Sequence, residues 1–411
     1  MEENKLEIIQ VNIYGQDKPG LASALTDILA RYDAFVLDIG QANIHDSLTM
    51  GILFLTQQDR SGAIMKELLF KSSELGVHIR FKPVSEEDYE QWRGRQGKDR
   101  YIITILGRTI DARKIAMVSQ IIYKHGFNID AIKRLTGRVP IREEDRQTLS
   151  CIELSIRGNL SDEEKSNIQS DFMRLSREGL DISFQKDDLY RRSRRLICFD
   201  MDSTLIGTEC IDELAERAGV GAEVRAITES AMRGEIDFIE SFTRRVALLK
   251  GLDESCMKEI AENLPFNEGL ERLMKALKMI GYKTAILSGG FTYFGQYLQQ
   301  KFGFDYVYAN ELEIVDGKLT GRYLGEVVDG RRKAELLRLL CQVEHINLAQ
   351  TVAVGDGAND LPMINLAGLG IAYHAKPKVK AGAEQAISTS GLDGILYFLG
   401  LKVSRMGLDN L

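Results

Sequence analysis

The rhythm of hydrophobic positions changes several times along the chain, and the changes mark its elements. Leu6 to Tyr14 alternates with period two, as a strand does, and Asp17-Lys18-Pro19-Gly20 punctuates it. Leu21, Ala22, Ala24, Leu25, Ile28 and Leu29 then fall at helical spacing. Strand-like runs follow over Ala34–Ile44 and Leu48–Thr56, then a predicted helix over Ala63–Leu75 and a strand over Val77–Val84. The order β-α-β-β-α-β is ferredoxin-like. It recurs: Gly15, Phe35 and Asp38 match Gly107, Phe127 and Asp130 at an offset of 92, and Gly76, Ile79 and Phe81 match Gly179, Ile182 and Phe184 at 103. The 11 extra residues enter between these blocks, and the polar segment Gly137–Gln147 is predicted as a long hairpin turn. The first half is therefore a diverged tandem repeat, 1–84 and 100–190, joined by a charged linker over 85–99. Arg191-Arg192-Ser193-Arg194-Arg195 reads as a solvated hinge.

From 191 to 411 the pattern is different. Short apolar runs of strand length, Leu196–Phe199, Lys283–Leu287, Asp305–Ala309, Thr351–Val354 and Leu369–Tyr373, alternate with helical patterns. That is the signature of a doubly wound parallel sheet with helices on both faces. Glu311–Val328 reads as a β-hairpin and Arg332–Gln342 as a helix with Lys333 on its first turn. Between the first two strands, 209–266 is helical throughout, over Ile211–Ala218, Glu223–Arg233, Phe238–Leu249 and Glu254–Asn263. Such an insertion suits a cap that closes over a site and excludes water.

The polar residues at the strand ends turn this α/β pattern into chemistry. Asp200 and Asp202 close the first strand, with Thr204 beyond; Ser288-Gly289-Gly290 closes the second; Lys333 opens a later helix; and Gly355-Asp356-Gly357-Ala358-Asn359-Asp360 closes another strand. Ligands of open α/β sheets bind outside the carboxyl ends of the strands. Each stretch alone has a bland reading as a solvated strand end, a turn or a surface lysine. Four in this order do not. Together they resemble the haloacid dehalogenase superfamily, over Arg195 to about Leu401. With Glu209 and Arg244-Arg245-Val246 they look like its phosphoserine phosphatase branch.

The resemblance implies a Mg²⁺-dependent hydrolysis of O-phospho-L-serine to L-serine and phosphate, the last step of the phosphorylated route to serine. Asp200 would be the nucleophile that forms a phosphoaspartate, and Asp202 the general acid and base. Asp200, Asp356 and the main-chain carbonyl of Asp202 would hold the metal. Ser288, Gly289 and Lys333 would hold the transferring oxygens, with Asn359 in the substrate shell and Thr204 and Asp360 behind it. Glu209 would take the substrate ammonium and Arg245 its carboxylate. Phe238, on the same helix face as Arg245, would wall the pocket or serve as a core aromatic. A phosphotransferase acting on another alcohol such as homoserine, and a non-catalytic amino-acid sensor, are the competing functions.

In the first half, Asp17-Lys18-Pro19-Gly20-Leu21 and the element order resemble ACT domains, small modules that often bind amino acids. The resemblance implies a regulatory L-serine site at Asp17 and Gly20, absent from the second repeat, and a homodimer built on edge strands. A fragment beginning near Arg191 is expected to keep the chemistry if it stays soluble. Composition then narrows the class. A net charge of −7 argues against a nucleic-acid partner, and no apolar run reaches membrane-span length. Met1-Glu2-Glu3-Asn4-Lys5 is unlike a secretory leader, and five scattered cysteines suit a reducing, cytoplasmic setting.

Overall fold

A computed structural model describes residues 5–94, 97–138, 141–142 and 149–402. The chain divides into two compact units, Met1–Lys98 and Asp99–Leu411.

In the first unit, strands β1 (Leu6–Gln16), β2 (Phe35–Ile44), β3 (Ser47–Gln57) and β4 (Val77–Val84) form an antiparallel sheet in the order β2-β3-β1-β4. Helices Leu21–Arg31 and Gln58–Leu75 cover one face and bury Ile9, Val11 and Ile13. The linker forms a helix, Glu86–Arg93, capped by the Ser85 side chain.

The second unit begins with the repeat. Strands β5 (Arg100–Gly107), β6 (Ile129–Arg134), β7 (Ser150–Arg157) and β8 (Asp181–Lys186) form a sheet in the same relative order, β6-β7-β5-β8. The recurring glycine has a steric cause in both copies. A Cβ on Gly15 would stand 2.7 Å from Val77 Cγ1, and one on Gly107 2.9 Å from the Gly179 carbonyl. Most of the predicted insertion, 139–140 and 143–147, lies outside the described residues.

Strands β9 (Leu196–Phe199), β10 (Lys283–Phe291), β11 (Tyr306–Val315), β12 (Lys318–Leu324), β13 (Thr351–Gly355), β14 (Leu369–Tyr373) and β15 (Gln385–Ile387) make the large sheet. Its order is β12-β11-β10-β9-β13-β14-β15, parallel except for the β11–β12 hairpin. The strand and hairpin arm expected separately at 305–315 are one strand. β11 runs parallel to β10 at Tyr306–Tyr308 and antiparallel to β12 from Glu311. The cap helices are Cys210–Ala218, Gly221–Met232, Phe238–Leu248 and Ser255–Glu262.

The arginine segment at 191–195 is not a solvated hinge. Arg191 and Arg194 are buried, Arg191 Nη2 donating to Glu153 Oε1 at 2.6 Å and Arg194 Nη2 to Gln185 Oε1 at 3.0 Å. Both carboxylate and amide come from the second repeat, whose Leu106, Leu135 and Cys151 share one core with β9 and the cap. Asp181, also buried, accepts from the backbone N–H groups of Ser388, Thr389 and Ser390 and from the Thr389 hydroxyl.

Candidate active site

β9 is buried throughout and sits between β10 and β13, so its end delivers Asp200 to the middle of the sheet's carboxyl edge. The Asp200 N–H donates to the Val354 carbonyl at 2.9 Å and ties the two acidic loops together. Across β10 and β11 the register jumps: Leu287 faces Tyr308 but Phe291 faces Asn310, leaving Ser288, Gly289 and Gly290 opposite one residue. This bulge turns three residues at the strand end into a loop. Ser288 Oγ accepts from the Gly290 N–H at 2.9 Å. Buried Asn310 braces the bulge, its Nδ2 donating to the Gly289 carbonyl at 2.8 Å while its Oδ1 accepts from the Val328 N–H at 2.8 Å.

Lys333 is fully buried at the start of helix Gly330–Val343, whose N-cap is the Asp329 side chain. Gly330 lets that helix approach the acidic loop, since a Cβ there would stand 2.6 Å from the Asn359 carbonyl. Lys333 Nζ donates to Asp200 Oδ1 and Asp360 Oδ1, each at 2.6 Å. Burial works against its charge, but the two carboxylates outweigh it and hold the ammonium protonated. Asp360 also accepts from the Gly357 N–H, so both of its oxygens are occupied. Asn359 does not reach Lys333; its amide lies against Gly357. Thr204 Oγ1 donates to Asp356 Oδ1 at 2.9 Å.

Asp200, Asp356 and Asp360 bring oxygens within 4.8 Å of one another. Burial pushes Asp200 up to about 7, helped by the Asp360 charge and opposed by Lys333. Burial, then Asp200 and Asp360, pushes Asp356 up to about 8. A cluster of hard oxygen donors carrying more negative charge than Lys333 offsets fits a small divalent cation. The Asp202 side chain lies elsewhere, Oδ1 accepting from the Cys210 N–H at 3.2 Å and Oδ2 against Gly290. Burial first, then Glu209 and Asp200, raises its pKa well above the usual range. A buried acid that keeps its proton is what a leaving alkoxide requires.

The cap is closed on this edge. A Cβ on Gly289 would stand 3.0 Å from Phe238 Cζ, so Phe238 lies over the bulge; behind it Phe242 packs on Phe291 and Tyr323. Arg245 is half-buried and, among the described residues, without an ion pair; Glu209, Asp212 and Asp202 support its charge against desolvation. Neighbouring Arg244 faces solvent and pairs with Glu240. Glu209, exposed at the head of the first cap helix, accepts from Ser203 Oγ at 2.7 Å. The sites foreseen in the first repeat lie in the other unit: Asp17 is exposed and accepts from the Asn43 amide, and Gly20, at φ 87°, precedes helix Leu21–Arg31 with no side-chain cap.

A parallel sheet with a helical cap, an aspartate pair on its central strand and a buried lysine between two carboxylates define a haloacid dehalogenase-like hydrolase, and that family's model matches residues 197–365. An ACT domain model matches residues 7–82. The phosphoserine phosphatase of Streptomyces coelicolor is 37% identical over 391 residues, 95% of this chain and 92% of its own. That of Archaeoglobus fulgidus is 39% identical over 354 residues, 86% and 98% of the two chains. The chain belongs to the phosphoserine phosphatase family. The unliganded crystal structure of the probable phosphoserine phosphatase of Vibrio cholerae is 37% identical, with a TM-score of 0.58 over 76% of this chain and 89% of that one. A haloacid dehalogenase-family hydrolase from Salmonella enterica serovar Typhi has a TM-score of 0.62 at 28% identity, over 76% and 99%.

Proposed function

We propose that the second unit hydrolyses O-phospho-L-serine with Mg²⁺ held by Asp200, Asp356 and the Asp202 carbonyl. The metal would offset the charge of the phosphate dianion. Asp200 attacks phosphorus; its Oδ–P bond forms as the bond to the serine oxygen breaks, and Asp202 gives that oxygen its proton. Asp202 then takes a proton from water, which attacks the phosphoaspartate and restores Asp200. Lys333, Ser288 and the Gly289 N–H hold the transferring oxygens, Asp360 steadies Lys333, and Thr204 steadies Asp356. The observation that carries the reading is the double grip on buried Lys333 by Asp200 and Asp360, beneath a cap that adds Arg245 and Glu209.

The test is phosphate release over a panel of phosphorylated small metabolites, with Mg²⁺ and with a chelator. Phosphoserine should lead the panel and the chelator should abolish release. Asp200→Asn should lose roughly 10⁴-fold or more, having no other phosphoryl acceptor. Arg245→Ala and Glu209→Gln should lose about 10- to 200-fold on phosphoserine through KM, one charge-assisted contact each, and little on an aryl phosphate. Equal losses on both substrates would remove the amino-acid assignment.

For the first unit we infer an L-serine effector site at the Asp17–Gly20 turn, with Asp17 toward the ammonium and the uncapped N–H groups of helix Leu21–Arg31 toward the carboxylate. Edge strand β2, with exposed Phe35, Ile39 and Ile44, supports pairing into a homodimer.

A further inference from the structure

Beyond the four motifs, the nucleophile loop depends on a residue that lies outside them. From Met201 to Gly207 the chain turns back on itself, and the Met201 carbonyl accepts from the N–H groups of Thr204, Leu205 and Ile206 at 3.3, 2.8 and 3.2 Å. That leaves carbonyls of the same loop turned to the other side. Asn267 gathers them: its Nδ2 lies 2.8 Å from the Thr204 carbonyl, 3.3 Å from that of Ser203 and 3.4 Å from that of Ile206. Its own N–H donates to the Leu205 carbonyl at 3.0 Å, and the Gly207 N–H returns to the Pro265 carbonyl at 2.8 Å. Within this knot Ser203 holds φ 60°, a left-handed conformation uncommon for a residue with a Cβ. Such a conformation persists where its surroundings over-determine it.

Asn267 is itself held from behind. Phe266 packs edge-on against Phe302 with Lys301 above its ring, and it bridges to Ile206. The Glu268 carbonyl accepts from the Leu392 N–H at 2.7 Å, and the Glu268 carboxylate meets Arg108 of the second repeat at 2.6 Å. The return leg of the cap is thus anchored to the sheet domain, and Asn267 passes that anchorage to the loop on which Asp202, Ser203 and Thr204 stand.

We propose that Asn267 is a positioning residue for the general acid. By fixing the carbonyls of Ser203, Thr204 and Ile206 it sets the backbone from which Asp202 reaches the leaving oxygen. The proposal rests on the assignment of Asp202 as the proton donor in phosphoserine hydrolysis. A serine alkoxide must be protonated as it leaves, whereas a nitrophenolate needs no proton. A displaced acid therefore slows the first and spares the second.

The experiment compares kcat/KM for phosphoserine with kcat/KM for p-nitrophenyl phosphate in Asn267→Ala and Asn267→Ser, the full chain being used with Mg²⁺. The ratio of the two values is taken on one preparation, so an incompletely folded fraction cancels. The expected result is a fall of roughly 10- to 100-fold on phosphoserine, the scale of a misplaced catalytic group, with less than about threefold on the aryl ester. The smaller part of the loss should come from Asn267→Ser, which keeps one donor. Asp202→Asn should shift the ratio the same way and further. An unchanged ratio in both Asn267 variants, whether both substrates fall together or neither does, overturns the proposal. A wild-type protein that does not hydrolyse phosphoserine refutes the reading beneath it instead.

Discussion

The two repeats share a strand order and differ in what lies on the far side of the sheet. β1 buries alternate residues, Ile9, Val11 and Ile13, and leaves the residues between them partly exposed. β5 buries seven of its eight. One face of β5 meets its own helices, and the other meets the catalytic domain, where Leu106 and Cys151 join the core of β9 and the cap. A sheet covered on both faces reads as a continuous apolar run, and one covered on a single face alternates. Tyr101-Ile102-Ile103-Thr104-Ile105-Leu106 and Leu6-Glu7-Ile8-Ile9-Gln10-Val11 carry that contrast. The first repeat lies in a unit of its own, and the second forms a wall of the catalytic unit.

Truncation should separate them most sharply. A chain starting near Asp99 should fold and keep phosphatase activity, because every residue assigned to the active site belongs to the second unit. A chain starting near Arg191, expected from sequence to keep the chemistry if it stays soluble, should be insoluble or, where soluble, inactive. It would expose the apolar side of the joint core, leave Arg191 without Glu153, and strip Asp181 from the 388–390 loop. Soluble expression and phosphate release decide between the two. Equal activity in both fragments would make the second repeat an appendage like the first.

The next effect is a pair of substitutions at equivalent strand positions. Asp181 is 1% exposed and accepts four donors, and its loss strands the buried Ser390 N–H and the part-buried donors of Ser388 and Thr389, at up to about 1–3 kcal/mol each before relaxation. Asp181→Ala should therefore lower the stability of the second unit by several kcal/mol in a denaturant titration. His78, at the equivalent place in β4, is exposed, and His78→Ala should change stability by less than about 0.5 kcal/mol.

Why the pattern was only partly legible follows from such residues. The four motifs stood out because phosphoryl transfer demands particular side chains at strand ends, and the cap because helical periodicity ran unbroken between two of those strands. Arg191 and Arg194 were misread, since a run of arginines looks solvated until a partner surface is known. Asn267 and Asn310 had no signal at all. Asn267 serves carbonyls of a distant loop and Asn310 the Gly289 carbonyl and the Val328 N–H, and an asparagine before a helix or within a strand has ordinary explanations. The double burial of β5 was written in the sequence, but a continuous apolar run does not say what covers its second face.

Titration should act on one unit alone. Asp200 and Asp356 are pushed up to about 7 and about 8, so without metal the folded site keeps protons that an unfolded chain releases near pH 4. The folded state then binds more protons than the unfolded one, and metal-free stability falls as pH rises from about 5 to 8. Added Mg²⁺ should restore it, by about 2.7 kcal/mol at a hundredfold excess over Kd, with the gain growing across the same pH range. In the first unit the buried polar residues among those described are Thr56, Ser61 and Ser72, which do not titrate there. Thermal midpoints of the two units, measured with and without Mg²⁺, test this. A Mg²⁺ effect that is flat with pH would place the metal away from these carboxylates.

The smallest effect concerns the turn that the second repeat has lost. In the first repeat Gly20 precedes its helix without a side-chain cap, and Asp17 is exposed beside it. In the second, Asp111 fills the same place and its Oδ1 accepts from the Lys114 N–H at 2.9 Å, closing the helix start. A helix start without a side-chain cap, next to an exposed carboxylate, suits the two charges of an amino acid, and a side-chain-capped start does not. Serine should therefore bind the first repeat alone, with a coupling of about 1–3 kcal/mol to phosphoserine at the active site. Calorimetry with serine is made on Arg245→Ala, to remove binding at the active site, with and without Asp17→Ala. Heat of binding that disappears with Asp17→Ala and persists with Asp111→Ala places the effector in the first repeat. No binding by Arg245→Ala with Asp17 intact removes the effector site from both repeats.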